Sequence, residues 1–219
     1  MVRKNVLLKG IKKNIFVKIG LVIFIFFLIT AAFAPLFAPN DPLEQNLSYR
    51  LGGGFWVGNY KYFLGTDSLG RCVLSRIIYG TRISLLIGVL SVAVMFTLGT
   101  ILGMFSGYLG GKVDLMVMRF TDILLSFPHI LLAIAIMAAL GPGIGNAMIA
   151  LGITGTPEIA RLVRGSVLSL KEEEYVEAAK SLGASLSRIL FKHILPNLFS
   201  TIMTIVFLRL GSSILYIAS

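Results

Sequence analysis

Long apolar runs alternate along this chain with short polar breaks, and the runs are of the length a bilayer requires. Ile19 to Phe37 is uncharged, just enough to span at roughly 20 residues per crossing. Residues 83–111 also lack any charge and predict a second span. A third is predicted over Leu115–Leu140, with Arg119 and Asp122 in its first turns and a kink at Pro128. Ile144–Gly155 is short for a span alone, so the fourth is predicted to continue through Thr156 and Pro157. Pro157 would kink it or open a new helix capped by Thr156. The fifth run, Ile194–Ser219, is interrupted only by Arg209. An unpaired arginine at that depth costs at least about 2.5–3.5 kcal/mol on insertion scales.

The breaks have their own patterns. Ala38-Pro-Asn-Asp-Pro42 ends the first span, because proline cannot donate within a helix. The following segment is dense in aromatics, among them Phe55, Trp56, Tyr60, Tyr62 and Phe63, as suits a membrane–water interface. Within it Asp67 is placed to cap the next helix or to pair with Arg71. Val73, Leu74, Ile77 and Ile78 then recur at the i, i+3, i+4 spacing of a helix lying along the interface. Gly99, Gly103 and Gly107 fall on one helix face, where small residues let another backbone approach. Arg119 and Asp122, three apart, are predicted to pair with each other. Gly141-Pro-Gly143 predicts a tight turn.

The longest polar break runs from Glu158 to His193. Its latter part and the start of the next run, from Glu174 to Asn197, predict a small-residue helix around Glu177, Ala178 and Ala179, a break at Gly183, a second helix, and a stop at Leu195-Pro196. Glu172, Glu173 and Glu174 precede Lys180, the order that suits the helix dipole. Such a surface fits either a solvated connector or a docking face for another chain.

Composition agrees with the runs: 56% of the 219 residues are hydrophobic and 14% charged, with a mean hydropathy of +0.88, outside the range of a soluble core. The net charge of +10 could indicate nucleic acid, but the basic residues sit at the ends of apolar runs, which favours the membrane and excludes nucleic acid as a partner. With the N-terminus inside, the inner segments hold fourteen Lys and Arg and the outer segment five. This places the N-terminus and the Glu177 insert in the cytoplasm of a multi-pass cell (plasma or inner) membrane protein. A secretory signal ending at Ala32-Phe-Ala34 is the rival for the first run, but Pro35 would follow the scissile bond and the apolar run continues past it. A retained helix is the better reading.

Candidate chemistry is sparse. Cys72 is the single cysteine, so no intrachain disulfide forms. Gly111-Lys112 is followed by valine, and no phosphate loop occurs elsewhere. His129 and His193 have no metal-ligand spacing around them, and no nucleophile elbow or His-Glu-x-x-His pair is present. The chain is read as non-enzymatic, without a metal or cofactor of its own.

Glu177-Ala-Ala-x-x-x-Gly183 followed by Leu195-Pro196 resembles the cytoplasmic signature loop of binding-protein-dependent ABC importer permeases. Leu64-Gly-Thr-Asp-x-Leu-Gly-Arg71, Ser126-Phe-Pro128, Leu140-Gly-Pro-Gly143 and Ala160-Arg-Leu-Val-Arg-Gly165 extend the likeness to the dipeptide/oligopeptide/nickel branch, from about residue 30 onward. The resemblance implies an all-α polytopic membrane bundle of the type I importer permease kind. Residues 1–82 would form the basic segment, first span and outer loop, and 83–219 the permease core with a cytoplasmic coupling loop at about 157–193. It implies a homologous second permease subunit, two ABC ATPases that hold ATP and Mg, and an extracytoplasmic binding protein delivering dipeptides or oligopeptides. Glu177, Ala178, Ala179, Gly183, Leu195 and Pro196 would couple the chain to the ATPase. A nickel or metal-chelate importer and a truncated, transport-inactive scaffold are the alternatives. The family continues past the fifth span, so the final helix or helices are expected to be missing.

Overall fold

A computed structural model describes residues 15–218, and its regular elements are helices joined by turns. The one β feature among the described residues is an isolated Thr66–Cys72 bridge. Arg3, Lys4, Lys9, Lys12 and Lys13, counted above toward orientation, lie outside them, as does Ser219. The chain folds as two compact units, one up to Leu86 and one from Ile87 onward.

In the first unit, α1 (Ile15–Ala32) is a candidate membrane span with almost every side chain exposed. After the short α2 (Ala34–Phe37), the outer segment holds only two 3-10 turns, Leu47–Tyr49 and Phe55–Val57. Polar groups give it shape. The Thr66 hydroxyl donates to Tyr49 O and accepts from Gly52 N. Asp67 both caps and pairs: Oδ1 accepts from Leu69 N (2.9 Å) and Arg71 N (3.0 Å), and Oδ2 from Arg71 Nε (2.8 Å) and from Arg76. Desolvation opposes ionisation of Asp67, but the Arg71 and Leu69 amides and the Arg71 guanidinium outweigh it and hold the carboxyl down at about 2. Gly70, at φ +74°, lies where a Cβ would meet Asn46 O at 1.8 Å, so no other residue fits that turn.

The interface helix predicted from Val73 and the second span are one element, α3 (Val73–Leu109), 37 residues long. No breaker separates the two patterns, so the helix simply continues. In the second unit α3 lies against α6 (Ile144–Leu170). A Cβ on Gly99 would come within 2.6 Å of the Ile159 Cβ, on Gly103 within 2.5 Å of Ala160 O, and on Gly107 within 2.9 Å of Arg164 O. The glycine stripe is therefore an intrachain seam, where the α3 backbone takes Ile159, Val163 and Val167 and the neighbouring α6 carbonyls directly against it.

Three sequence expectations are corrected here. The third span is two helices, α4 (Gly111–Leu125) and α5 (His129–Leu140), bent by 96° at Ser126–Pro128, a break far sharper than a proline kink. Pro157 neither ends nor starts a helix; it is buried inside α6, which runs 27 residues without interruption. Helices α4, α5 and α9 (Leu195–Ala218) all pack on α6, and packed neighbours let a helix tolerate the backbone bond that a proline removes. Asp122 bonds not Arg119 but Arg161 of α6, at 2.5 Å. Helix α6 is also not apolar enough to count as a span by composition alone. Enclosure explains this: Gly152, Thr154, Thr156, Ala160 and Val163 are buried against protein, and a helix shielded from lipid has no need of an apolar surface all round.

Candidate functional site

Helix α6 ends at Leu170 and a tight turn leads straight into α7 (Glu174–Ser181), with Glu172 N and Glu173 N bonded back to Ser169 O and Leu170 O. No flexible linker intervenes. Glu174 and Glu177 occupy the first turn of α7 and Lys180 the last, which places each charge where the helix dipole favours it.

One face of α7 is anchored and the other is open. Val176 is 2% exposed and belongs to the main apolar core, which includes Met104, Val163, Val167, Ile189, Leu190 and Ile194. Glu177 and Ala178 are exposed and Ala179 is half-buried. A cleft of about 360 Å³ runs beside them, lined by Tyr108, Val176 and the alternating charges of Lys171, Glu172, Glu177 and Lys180.

Gly183 sits at φ +76°. Its N–H bonds Lys180 O at 2.9 Å and that of Ala184 bonds Ala179 O at 3.0 Å, the pair of bonds that defines a Schellman cap. A Cβ there would meet nothing within 4 Å. Glycine is thus required for the backbone turn, and close approach of a partner is a separate matter.

That turn lifts Leu182 to 88% exposure, an apolar knob at the end of α7 that no periodicity pointed to. Its signal was present only as a leucine directly before a helix-ending glycine. Tyr175, also exposed, was missed in the same way. It accepts a hydrogen bond from Asn197 Nδ2 at 3.1 Å, and Asn197 also donates to His193 O at 2.8 Å. Tyr175 thereby ties α7 to the first turn of α9.

The second helix of the insert is short, α8 (Leu186–Arg188), and passes through a π turn, Ile189–Ile194, into α9. Leu195 N bonds Leu190 O, five residues back. Pro196 was expected to stop the helix and instead lies within it, two residues past the π turn and directly after Leu195, so the helix passes through the proline at the loss of one backbone bond. Leu195 packs against the core while Pro196 is exposed. Of the six residues predicted to couple the chain, Glu177, Ala178, Ala179 and Gly183 therefore share one small surface. Leu195 and Pro196 lie behind it, at the start of α9.

Two ion pairs fasten the same region to α4. Arg164 grips Asp114 with two nitrogens, at 2.5 Å for Nη2 to Oδ2, and Ser106 donates to the same carboxylate. Arg161 reaches Asp122. Deeper along α6, Arg209 of α9 pairs with Glu158, so the arginine predicted to stand unpaired has a carboxylate partner. His129 Nε2 lies 3.0 Å from Thr154 Oγ1, one turn from Glu158.

Comparison with known proteins gives the constellation a setting. Residues 99–219 match the family described as the binding-protein-dependent transport system inner membrane component, and residues 7–53 match the N-terminal TM domain of oligopeptide transport permease C. The dipeptide transport system permease protein DppC of Alkalihalophilus pseudofirmus is 44% identical over 211 residues, covering 96% of this chain and 68% of that one. Its namesake in Haemophilus influenzae is 38% identical, covering 95% and 71%. The glutathione transport system permease protein GsiD of Pectobacterium atrosepticum is 44% identical, covering 95% and 68%.

Proposed function

The chain belongs to the family of binding-protein-dependent transport system inner membrane components, and on that premise we propose that it forms half of an ATP-driven pathway importing short peptides. A homologous permease subunit supplies the other half, two ABC ATPases hold the nucleotide, and an extracytoplasmic binding protein delivers the solute. Relatives named for dipeptide and glutathione transport support the substrate class. The N-terminus and α7 lie in the cytoplasm, and α6 leads from the membrane into α7.

The observation that carries this reading is α7 itself, a short capped helix with one buried anchor, Val176, and an open end at Leu182. Leu182 and Ala178 enter a groove on the ATPase, and Glu177 meets its basic rim. When the ATPases close on ATP, α7 is displaced as a rigid piece. The tight turn at Glu172 and Glu173 passes the displacement to α6, and the Tyr175–Asn197 bond passes it to α9. Two helices that line the pathway then tilt together.

The test is co-purification of the chain with its ATPases in detergent, followed by peptide uptake in proteoliposomes. Leu182→Asp is expected to abolish both while the chain still folds, because the residue touches little of its own protein. Wild-type levels of ATPase capture and uptake in that variant would overturn the coupling role.

A further inference from the structure

We propose that Glu158 and Arg209 form an intramembrane station that reads the two charged ends of a zwitterionic peptide, exchanging their mutual ion pair for contacts with the solute. The inference rests on the peptide-import reading and goes beyond it by assigning the residues that touch the solute within the membrane.

Depth is the first observation. Glu158 lies 14 residues from Ile144 in an unbroken helix, about 21 Å along its axis, so if α6 enters the membrane near Ile144 this residue falls within a hydrocarbon layer about 30 Å thick and not in the cytoplasmic loop expected from about residue 157. Exposure is the second. The Glu158 and Arg209 side chains keep 38% and 31% of their surface open, and Arg161 and Asp122 next along the helix keep 53% each. Charges this open cannot face lipid, and α6 turns its opposite side, Ile159, Ala160 and Val163, into the dry core. The open side therefore borders water or another protein segment, and the peptide-import reading puts the pathway there.

Chemistry is the third. The two arginines are equally open, 31% for Arg209 and 30% for Arg164, and the difference lies in the acids: the Glu158 side chain keeps 38% of its surface open although its Oε2 is buried, and that of Asp114 only 20%. The Glu158–Arg209 pair presents one carboxylate and one guanidinium side by side, with no net charge. A free-ended peptide has the complementary arrangement: Arg209 offers paired N–H donors to its carboxylate and Glu158 accepts from its ammonium. Between passages the two residues neutralise each other, which keeps the site from holding a stray ion.

The experiment uses the complete transporter in proteoliposomes with its binding protein and a labelled free-ended dipeptide. Glu158→Gln and Arg209→Gln are expected to lower uptake at least tenfold while the subunits still co-purify. The double reversal Glu158→Arg with Arg209→Glu keeps an ion pair but turns it around, and uptake is expected to stay at the single-variant level. Uptake restored to within twofold of wild type by the reversal would show a structural clasp and overturn the proposal. Should the arginine variants fail to assemble, Leu151→Cys, two turns from Glu158 on the same side of α6, decides the matter. The native Cys72 is buried, so a membrane-impermeant thiol reagent is expected to label position 151 on this chain, at least fivefold more slowly when dipeptide is passing. A position that is unlabelled, or labelled equally with and without dipeptide, overturns the proposal. No dipeptide uptake by the wild type would sink the peptide reading together with this site, whereas normal wild-type uptake with a rescuing reversal sinks this site alone.

Discussion

Residues 38–72 and residues 171–197 both interrupt apolar helices, but polar groups hold the first in shape and apolar ones hold the second. In the outer segment a single carboxylate, Asp67, gathers two amides and two guanidinium groups. In the inner segment Val176, Ile189, Leu190 and Ile194 are buried and the polar groups face outward. A surface that must be gripped without yielding gains from an apolar root, since burial is insensitive to pH and salt. The outer segment, fastened by charge, responds to both.

The comparison breaks most severely at Val176. Val176→Ala removes two buried methyl groups and is expected to cost about 2 kcal/mol, loosening α7 so that the chain captures its ATPases several-fold less well in the co-purification assay. Gly183→Ala comes next. It forces a side chain into the left-handed region at roughly 1–2 kcal/mol, and hydrogen exchange at the Ala184 amide is expected to quicken while the rest of the second unit stays protected. Slower exchange there would refute the cap.

In the outer segment, Asp67→Asn is expected to raise the rate of protease cleavage between Asn46 and Arg71 several-fold in vesicles that expose that face, with α7 unaffected. The smallest effect is the response to acid. Because the Asp67 carboxyl is depressed to about 2 in the fold, its stabilising contribution is fully present above the ordinary carboxylate range near 4. It is lost as pH falls through about 2. Protease resistance of the outer segment should therefore persist at pH 4 and decline toward pH 2, and Asp67→Asn should remove that step. Cleavage that rises between pH 7 and pH 5 would contradict the assignment.

These differences also decide what the sequence discloses. The all-α class, the runs behind α1 and α3, the glycine seam and the location of the Glu177–Gly183 surface are all legible, because each depends on local spacing or composition. The cap at Gly183 and the exposure of Leu182 are only half legible: the glycine marks a helix end, yet what that end lifts outward depends on where Val176 is rooted. Pairings are illegible. Arg119 lies three residues from Asp122 and loses it to Arg161, 39 residues away, since α4 turns that face toward α6. Arg209 looked solitary because its partner is on another helix. Pro157 misled for a related reason, its local penalty being overruled by three packed neighbours.

The pairing of Arg209 with Glu158 also bears on how the chain is made. About 50 residues separate the two, and at ribosomal rates of about 5–20 residues per second the glutamate enters the membrane several seconds before its arginine exists. During that interval Glu158 is without the guanidinium that it meets in the fold. A ribosome stalled before residue 209 therefore leaves behind a chain whose Glu158 has no arginine to meet, and quality-control proteases are expected to clear such a chain faster than one that has passed that point.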